Sequence, residues 1–236
     1  MGDKYGCFAS IPNLAARVIK SPALFFREMP KTGGYLGPLI FMTAMGVASG
    51  VIGGLLHAIV NILGFQLYSG LALGMISLVL MPVYCAIGCA VSGFIVAALL
   101  FVIWRLMGSK ETYEAAYRCT AYLAAISPIV TAVWIIPYAG GAIGLLIALY
   151  YLVTASTEAH GIPSGRAWMV FGIIAAFMMV ISISAKMAAM RFARNMEQAD
   201  ESWRDASREM EKAAEEIRRQ MKKEMETPNP PERTAE

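Results

Sequence analysis

Residues 113–168 read YEAAYRCTAYLAAISPIVTAVWIIPYAGGAIGLLIALYYLVTASTEAHGIPSGRAW. Two long apolar segments lie inside this stretch. Pro128, Pro137, Gly140 and Gly141 cut them, and Glu158, His160 and Arg166 edge them. An α-helix needs about 20 apolar residues to cross a hydrocarbon core about 30 Å thick. The pattern therefore predicts a membrane span over 117–136, kinked where Pro128 frees a carbonyl. A tight turn follows at 137–141, then a span over 142–156. Glu158, His160, Gly161, Pro163 and Gly165 fall in the next loop. Arg166 opens a further span over 167–189.

Outward from this hairpin the chain keeps the same character. Of its 236 residues, 57% are hydrophobic and 16% charged, against about 25% charged in soluble domains. Between Glu28 and Glu111 there is no acidic residue, and Lys31, Arg105 and Lys110 are the only Lys or Arg. This is the composition of an integral membrane protein. A net charge of +3 gives no basis for nucleic-acid binding.

The first span is expected over 38–63. Gly46, Gly50 and Gly54 repeat at intervals of four, the small-x-x-x-small pattern that lets helix backbones approach closely. His57 reads as a hydrogen-bonded interfacial histidine. Residues 65–107 admit two solutions. One is a hairpin at Met81-Pro82. The other is an embedded segment, GFQLYSGLALGMIS, followed by one helix over 79–107. A single span puts Arg105 and Lys110 on the side of the basic N-terminus and satisfies the positive-inside tendency. The fold class is therefore all-α: a polytopic membrane protein with five transmembrane helices.

Residues 11–31 alternate Leu14, Val18, Leu24, Phe25 and Phe26 with Arg17, Lys20, Arg27 and Lys31. They predict an amphipathic interfacial helix, phenylalanines down and cations toward anionic lipid; the alternative is a soluble helix packing on the membrane domain. Ser21 is placed to cap its second part, with Pro22 at the first helical position. Arg17, Lys20, Phe25, Phe26 and Arg27 are the expected membrane-surface residues. The opening residues lack the apolar core of a cleaved leader.

The C-terminal part is highly charged. From Ala189 a heptad places Met196, Trp203, Met210 and Ile217 on one seam and Ala199, Ala206 and Ala213 on the other. Large residues facing alanines suit a closely packed coiled coil; the alternative is a lone charged helix continuing the fifth span. Asp200–Arg204, Lys212–Glu216 and Glu215–Arg219 are the expected supporting charge pairs. The expected divisions are an interfacial segment 1–37, a membrane domain 38–190, a helical tail 191–226 and a disordered end 227–236.

Chemistry is sparse. There is no H-E-x-x-H, G-x-S-x-G or phosphate-binding glycine loop, and His57 and His160 are the only histidines. Cys85 and Cys89 share a helix face without further ligands and read as small packing residues. No catalytic residue, cofactor or metal is expected. Glu158, His160 and Arg166 form the one candidate polar cluster. No acidic side chain lies within the first three spans, which argues against ion-coupled transport.

The residues of the quoted stretch carry a resemblance. Tyr117-Arg118, Ala121-Tyr122 and Pro128 come first. Ile136-Pro137, Gly140 and Gly144 follow, then Glu158, His160-Gly161 and Arg166-Ala167. In this order the chain resembles the Yip1 domain family, especially its bacterial members, over residues 14–190. The N-terminal SPALFFREMP is similar to the segment before the family's first span. The resemblance implies five membrane helices with a cytoplasmic N-terminus, and a bacterial inner membrane as location. Eukaryotic members resemble trafficking scaffolds that bind Rab-type GTPases through a D-L-x-G-P motif. Here only Leu36-Gly37-Pro38 echoes a related pattern, without the aspartate, so GTPase binding is not implied.

The expected function is a non-enzymatic membrane scaffold that self-associates and holds lipid or a membrane protein partner. The alternatives are a passive transporter or channel, with the polar cluster as its mouth, and a subunit of a larger complex. Five spans put the tail opposite the N-terminus. Lys186, Arg191 and Arg194 pull the other way.

Overall fold

The computed structural model describes residues 10–62, 71–136 and 139–226. The embedded segment expected at 64–77 falls partly, and the disordered end wholly, outside the described residues. So do Pro137 and Tyr138 of the expected turn. Every regular element among the described residues is helical: α1 (Ile11–Lys20), α2 (Pro22–Glu28), α3 (Leu36–Ile62), α4 (Leu71–Leu106), α5 (Tyr113–Leu123), α6 (Ser127–Val133), α7 (Gly140–His160) and α8 (Ser164–Glu226). Five helical stretches are long and apolar enough to cross a membrane: Leu36–Val60, Val79–Leu106, Tyr113–Val133, Gly140–Glu158 and one within Ser164–Lys222. The five-span, all-helical fold class holds.

The chain forms two compact units, Met1–Met179 and Val180–Glu236. In the first, α3 packs along α4. Its glycines explain how closely. A Cβ on Gly46 would stand 2.8 Å from the Cys85 carbonyl oxygen and 3.0 Å from Cys89 Sγ. One on Gly50 would overlap the Pro82 backbone. Gly46 and Gly50 thus join two helices of one chain, and Cys85 and Cys89 belong to that packing. Gly54 is buried one turn further on. Pro82 lies inside α4 without ending it, so Met81-Pro82 is not a hairpin.

The third span, Tyr113–Val133, is interrupted by a 3-10 turn at Ala124–Ile126, beginning at the carbonyl that Pro128 leaves without its usual donor. Pro128 has no N–H to donate to the Ala124 carbonyl four residues back. The Ser127 hydroxyl donates to that oxygen instead, at 2.8 Å. The same hydroxyl lies 2.8 Å from that of Ser49 on α3.

The fourth helix is longer than the sequence reading. It runs on through Glu158 and His160, which are helical and not in a loop. Gly161 ends it in the left-handed conformation at φ 66°, with its N–H bonded back to the last turn. Glycine meets no steric penalty there.

The N-terminal segment is two helices broken at Ser21, whose side chain makes no capping bond. Phe25 and Phe26 are not directed into lipid. They are buried at 5% and 0% exposure. Phe25 meets Phe26 and Tyr122 edge to face, with centroids 5.4 and 5.3 Å apart. The apolar face of α1–α2 is spent on the bundle, joining Val18, Phe41, Trp104 and Phe171 in one core. Burying such a side chain contributes roughly 1.5–3 kcal/mol.

The second unit holds the helix from Val180 to Glu226. Met196, Trp203, Met210 and Ile217 are 58%, 72%, 65% and 56% exposed. Ala199, Ala206 and Ala213 are exposed too. Asp200 pairs with Arg204 at 2.8 Å, and Asp205 with Arg208 at 3.6 Å. Lys212–Glu216 and Glu215–Arg219 are not among the ion pairs of the described residues.

Candidate functional site

The polar groups of the first unit gather at one end of the bundle. Three segments meet there: α2 with the turn after it, the turn between α4 and α5, and the end of α7.

The turn between α4 and α5 is built around Trp104, which is fully buried. Its indole N–H donates to Ser156 Oγ at 2.8 Å. Its ring stacks on His160, centroids 3.9 Å apart. His160 Nδ1 lies 3.0 Å from Ser109 Oγ, which also accepts the Glu111 N–H at 3.3 Å. Gly108 turns the chain at φ 98°, and Arg166 Nη1 donates to the Met107 carbonyl at 2.8 Å. Thr112 then starts α5, its hydroxyl accepting the Ala115 N–H.

The turn before α3 is held from α5. Glu114 Oε1 accepts the Gly34 N–H at 2.7 Å, and Arg118 Nη1 donates to the Gly34 carbonyl at 2.9 Å. Four residues apart, the two side chains share a helix face and hold the two peptide groups that flank the Gly34 Cα. Gly33 lies against the Arg118 guanidinium, where an added Cβ would stand 3.2 Å from Nη1. Lys31 pairs with Glu111 at 2.6 Å.

The expected cluster of Glu158, His160 and Arg166 does not converge. Glu158 reaches Arg27 on α2 at 2.8 Å, whereas His160 and Arg166 both brace the Met107–Ser109 turn. Residues two apart on a helix point to different sides, which separates Glu158 from His160. The result is a set of ties between segments, with no common mouth.

A serine hydroxyl on a histidine is half of a nucleophilic constellation. Here both residues are buried, at 6% and 7% exposure, and Trp104 covers the ring. His160 lies beyond the fourth candidate span, Gly140–Glu158. Burial holds its pKa down to about 4; Glu111 raises it slightly and Lys31 lowers it. The ring is neutral at pH 7. Among the described residues no group of three His, Cys, Asp or Glu is placed to hold a metal ion.

Among the described residues, the buried polar atoms Tyr117 Oη, Arg118 Nε and His160 Nε2 lack a hydrogen-bond partner. The sequence reading gave no role to Trp104, Ser109, Ser156 or Arg118. Arg118 alone carried a signal, a charge inside an otherwise apolar span.

The remaining feature is a groove between α1 and α2 of about 390 Å³. Asn13, Arg17, Lys20 and Ser21 line it, over Ala16, Leu24 and Phe25. Of the expected surface residues, Arg17 and Lys20 border this groove, while Arg27 is engaged by Glu158.

Residues 16–185 match the family model of the Yip1 domain. Neither a curated protein nor a solved structure matches the chain.

Proposed function

The chain belongs to the Yip1 domain family, a family of generally non-enzymatic membrane proteins, and from that premise we propose that it is a membrane scaffold that self-associates and holds lipid or a partner protein. The observation that carries this reading is the row of large apolar side chains at intervals of seven on the tail. Met196, Trp203, Met210 and Ile217 are all more than half exposed. A charged helix that leaves such a row bare is suited to a second copy, where the alanine seam lets the helices approach. The ties at the polar end support the same reading. They brace the segments of one bundle against one another.

In this reading the N-terminus is cytoplasmic, in the inner membrane of a bacterium. Arg27, Lys31, Arg105, Lys110, Arg118 and Arg166 lie on or beside the segments that meet at the polar end. Among the described residues there, Glu28, Glu111, Glu114 and Glu158 oppose them, and cytoplasmic ends carry such an excess of cations.

Two charges in the seam test the proposal. Trp203→Glu with Met210→Glu is expected to leave the membrane domain folded and to lower the oligomeric mass in mild detergent. An unchanged mass would remove the tail from assembly.

A further inference from the structure

The groove between α1 and α2 has a definite depth. Tyr151 Oη donates to the Ile19 carbonyl at 2.8 Å. Tyr151 stands seven residues inside the end of the span Gly140–Glu158, about 10 Å along a helix that rises 1.5 Å per residue. Helical side chains lean toward the N-terminus, so on α7 the hydroxyl lies level with its Cα or deeper. At the other end of α2, Arg27 meets Glu158 itself. α2 therefore runs along α7 from the depth of Tyr151 to the end of the span. The corner at Lys20–Ser21 is the deep end. A second contact agrees, since α1 packs against the 3-10 turn Ala124–Ile126, eleven residues inside the third span.

About 10 Å inside an apolar span is acyl-chain depth, from which the long Lys20 and Arg17 side chains reach back toward the headgroup layer. The groove's size falls within the ~300–1,000 Å³ typical of small-molecule sites. Lys20, Asn13 and the Ser21 side chain have no hydrogen-bond or ion-pair partner among the described residues. Arg17 is held toward Glu28 at 3.4 Å, with both side chains about half exposed, so a carboxylate stands at one rim. Leu24 is 52% exposed beside the polar groups. Phosphate-binding donors on one wall, with an apolar side chain next to them, match the join between headgroup and acyl chain.

We propose that the α1–α2 groove is a binding site for an anionic phospholipid, its phosphate held by Lys20, Arg17 and Asn13 and an acyl chain laid against Leu24. This rests on the scaffold reading only in naming the lipid that such a scaffold holds.

The test uses the full-length protein in mild detergent with phosphatidylglycerol or phosphatidylcholine, counting bound lipid by native mass spectrometry. The wild type is expected to retain phosphatidylglycerol in preference to phosphatidylcholine. Lys20→Ala is expected to lower that retention roughly fivefold, the effect of one cation near an anionic surface. Lys20→Arg restores it, Lys212→Ala on the tail leaves it unchanged, and inorganic phosphate does not displace the lipid. Equal retention of both lipids, an unaltered Lys20→Ala variant, or full displacement by inorganic phosphate would each overturn the proposal. A nitroxide at Leu24→Cys, in a cysteine-free background in phosphatidylglycerol vesicles, provides a readout independent of affinity. Oxygen accessibility above that of a soluble relaxant is expected, and an aqueous signature would overturn the assigned depth. Oligomeric mass is read from the same spectra, so a wild type that shows no preference for phosphatidylglycerol yet keeps its oligomeric mass counts against this site and not against the scaffold.

Discussion

A single missing methyl group decides how α3 meets α4. At Gly50 there is no room for Cβ, because the Pro82 backbone occupies the place. Backbone yields far less than a flexible side chain. Gly50→Ala is therefore expected to destabilise the membrane domain by about 1–3 kcal/mol, the usual cost of overpacking. At Gly165, on α8, an added Cβ meets nothing within 4 Å. Gly165→Ala is expected to be neutral or to stabilise by about 0.4–1 kcal/mol through the unfolded chain. Thermal unfolding of both variants in detergent checks the pair, and equal effects would show that the close approach is not what sets this packing. The glycine spacing was legible in the sequence, but its partner was not. The i, i+4 pattern marks a face for close approach without saying whether the other helix belongs to the same chain.

At the scale of elements, the five apolar runs were legible because each spans a bilayer with few charges. Their ends were harder to read. Polar letters at Glu158 and His160 look like loop, yet α7 continues to the Gly161 stop because both side chains find partners across the end of the bundle. The inward turn of Phe25 and Phe26 was one of two readings that the sequence left open. An amphipathic segment reads the same whether its apolar face meets lipid or protein, and only the presence of Tyr122 and Phe41 opposite decides it. The Trp104–His160–Ser109 tie joins residues from two distant segments and had no local signal.

That tie carries a pH prediction. His160 is held to about 4 in the folded protein, below the ordinary value near 6.5. The unfolded chain thus binds more protons between these values, and stability is full above pH 6.5 and falls as pH drops toward 4. One unit corresponds to about 1.4 kcal/mol, so the complete loss is on the order of 3 kcal/mol. Glu111 and Lys31, the charged groups facing the ring, act in opposite directions. Unfolding temperatures of wild type and His160→Gln, measured from pH 7 to 4.5, should diverge at the start and converge as pH falls. Parallel curves would contradict the assignment.

For the whole molecule, large apolar side chains remain exposed along α4, such as Tyr84 at 74% and Leu99 at 61%. A five-span chain needs that surface for lipid. Five spans also put the ends on opposite sides of the membrane. Lys110 and Ser207 are both exposed, so single cysteines there in a cysteine-free background should label from opposite sides with an impermeant reagent. Ser109 is unsuited, being buried against His160. Labelling from one side would require an even number of spans. The scaffold reading itself depends on the tail. Its most direct measurement is the oligomeric mass, in mild detergent, of the full chain and of a chain ended after Arg194. The full chain should be an oligomer and the shortened one should fall to a lower mass while remaining folded; equal masses would contradict assembly through Met196, Trp203, Met210 and Ile217.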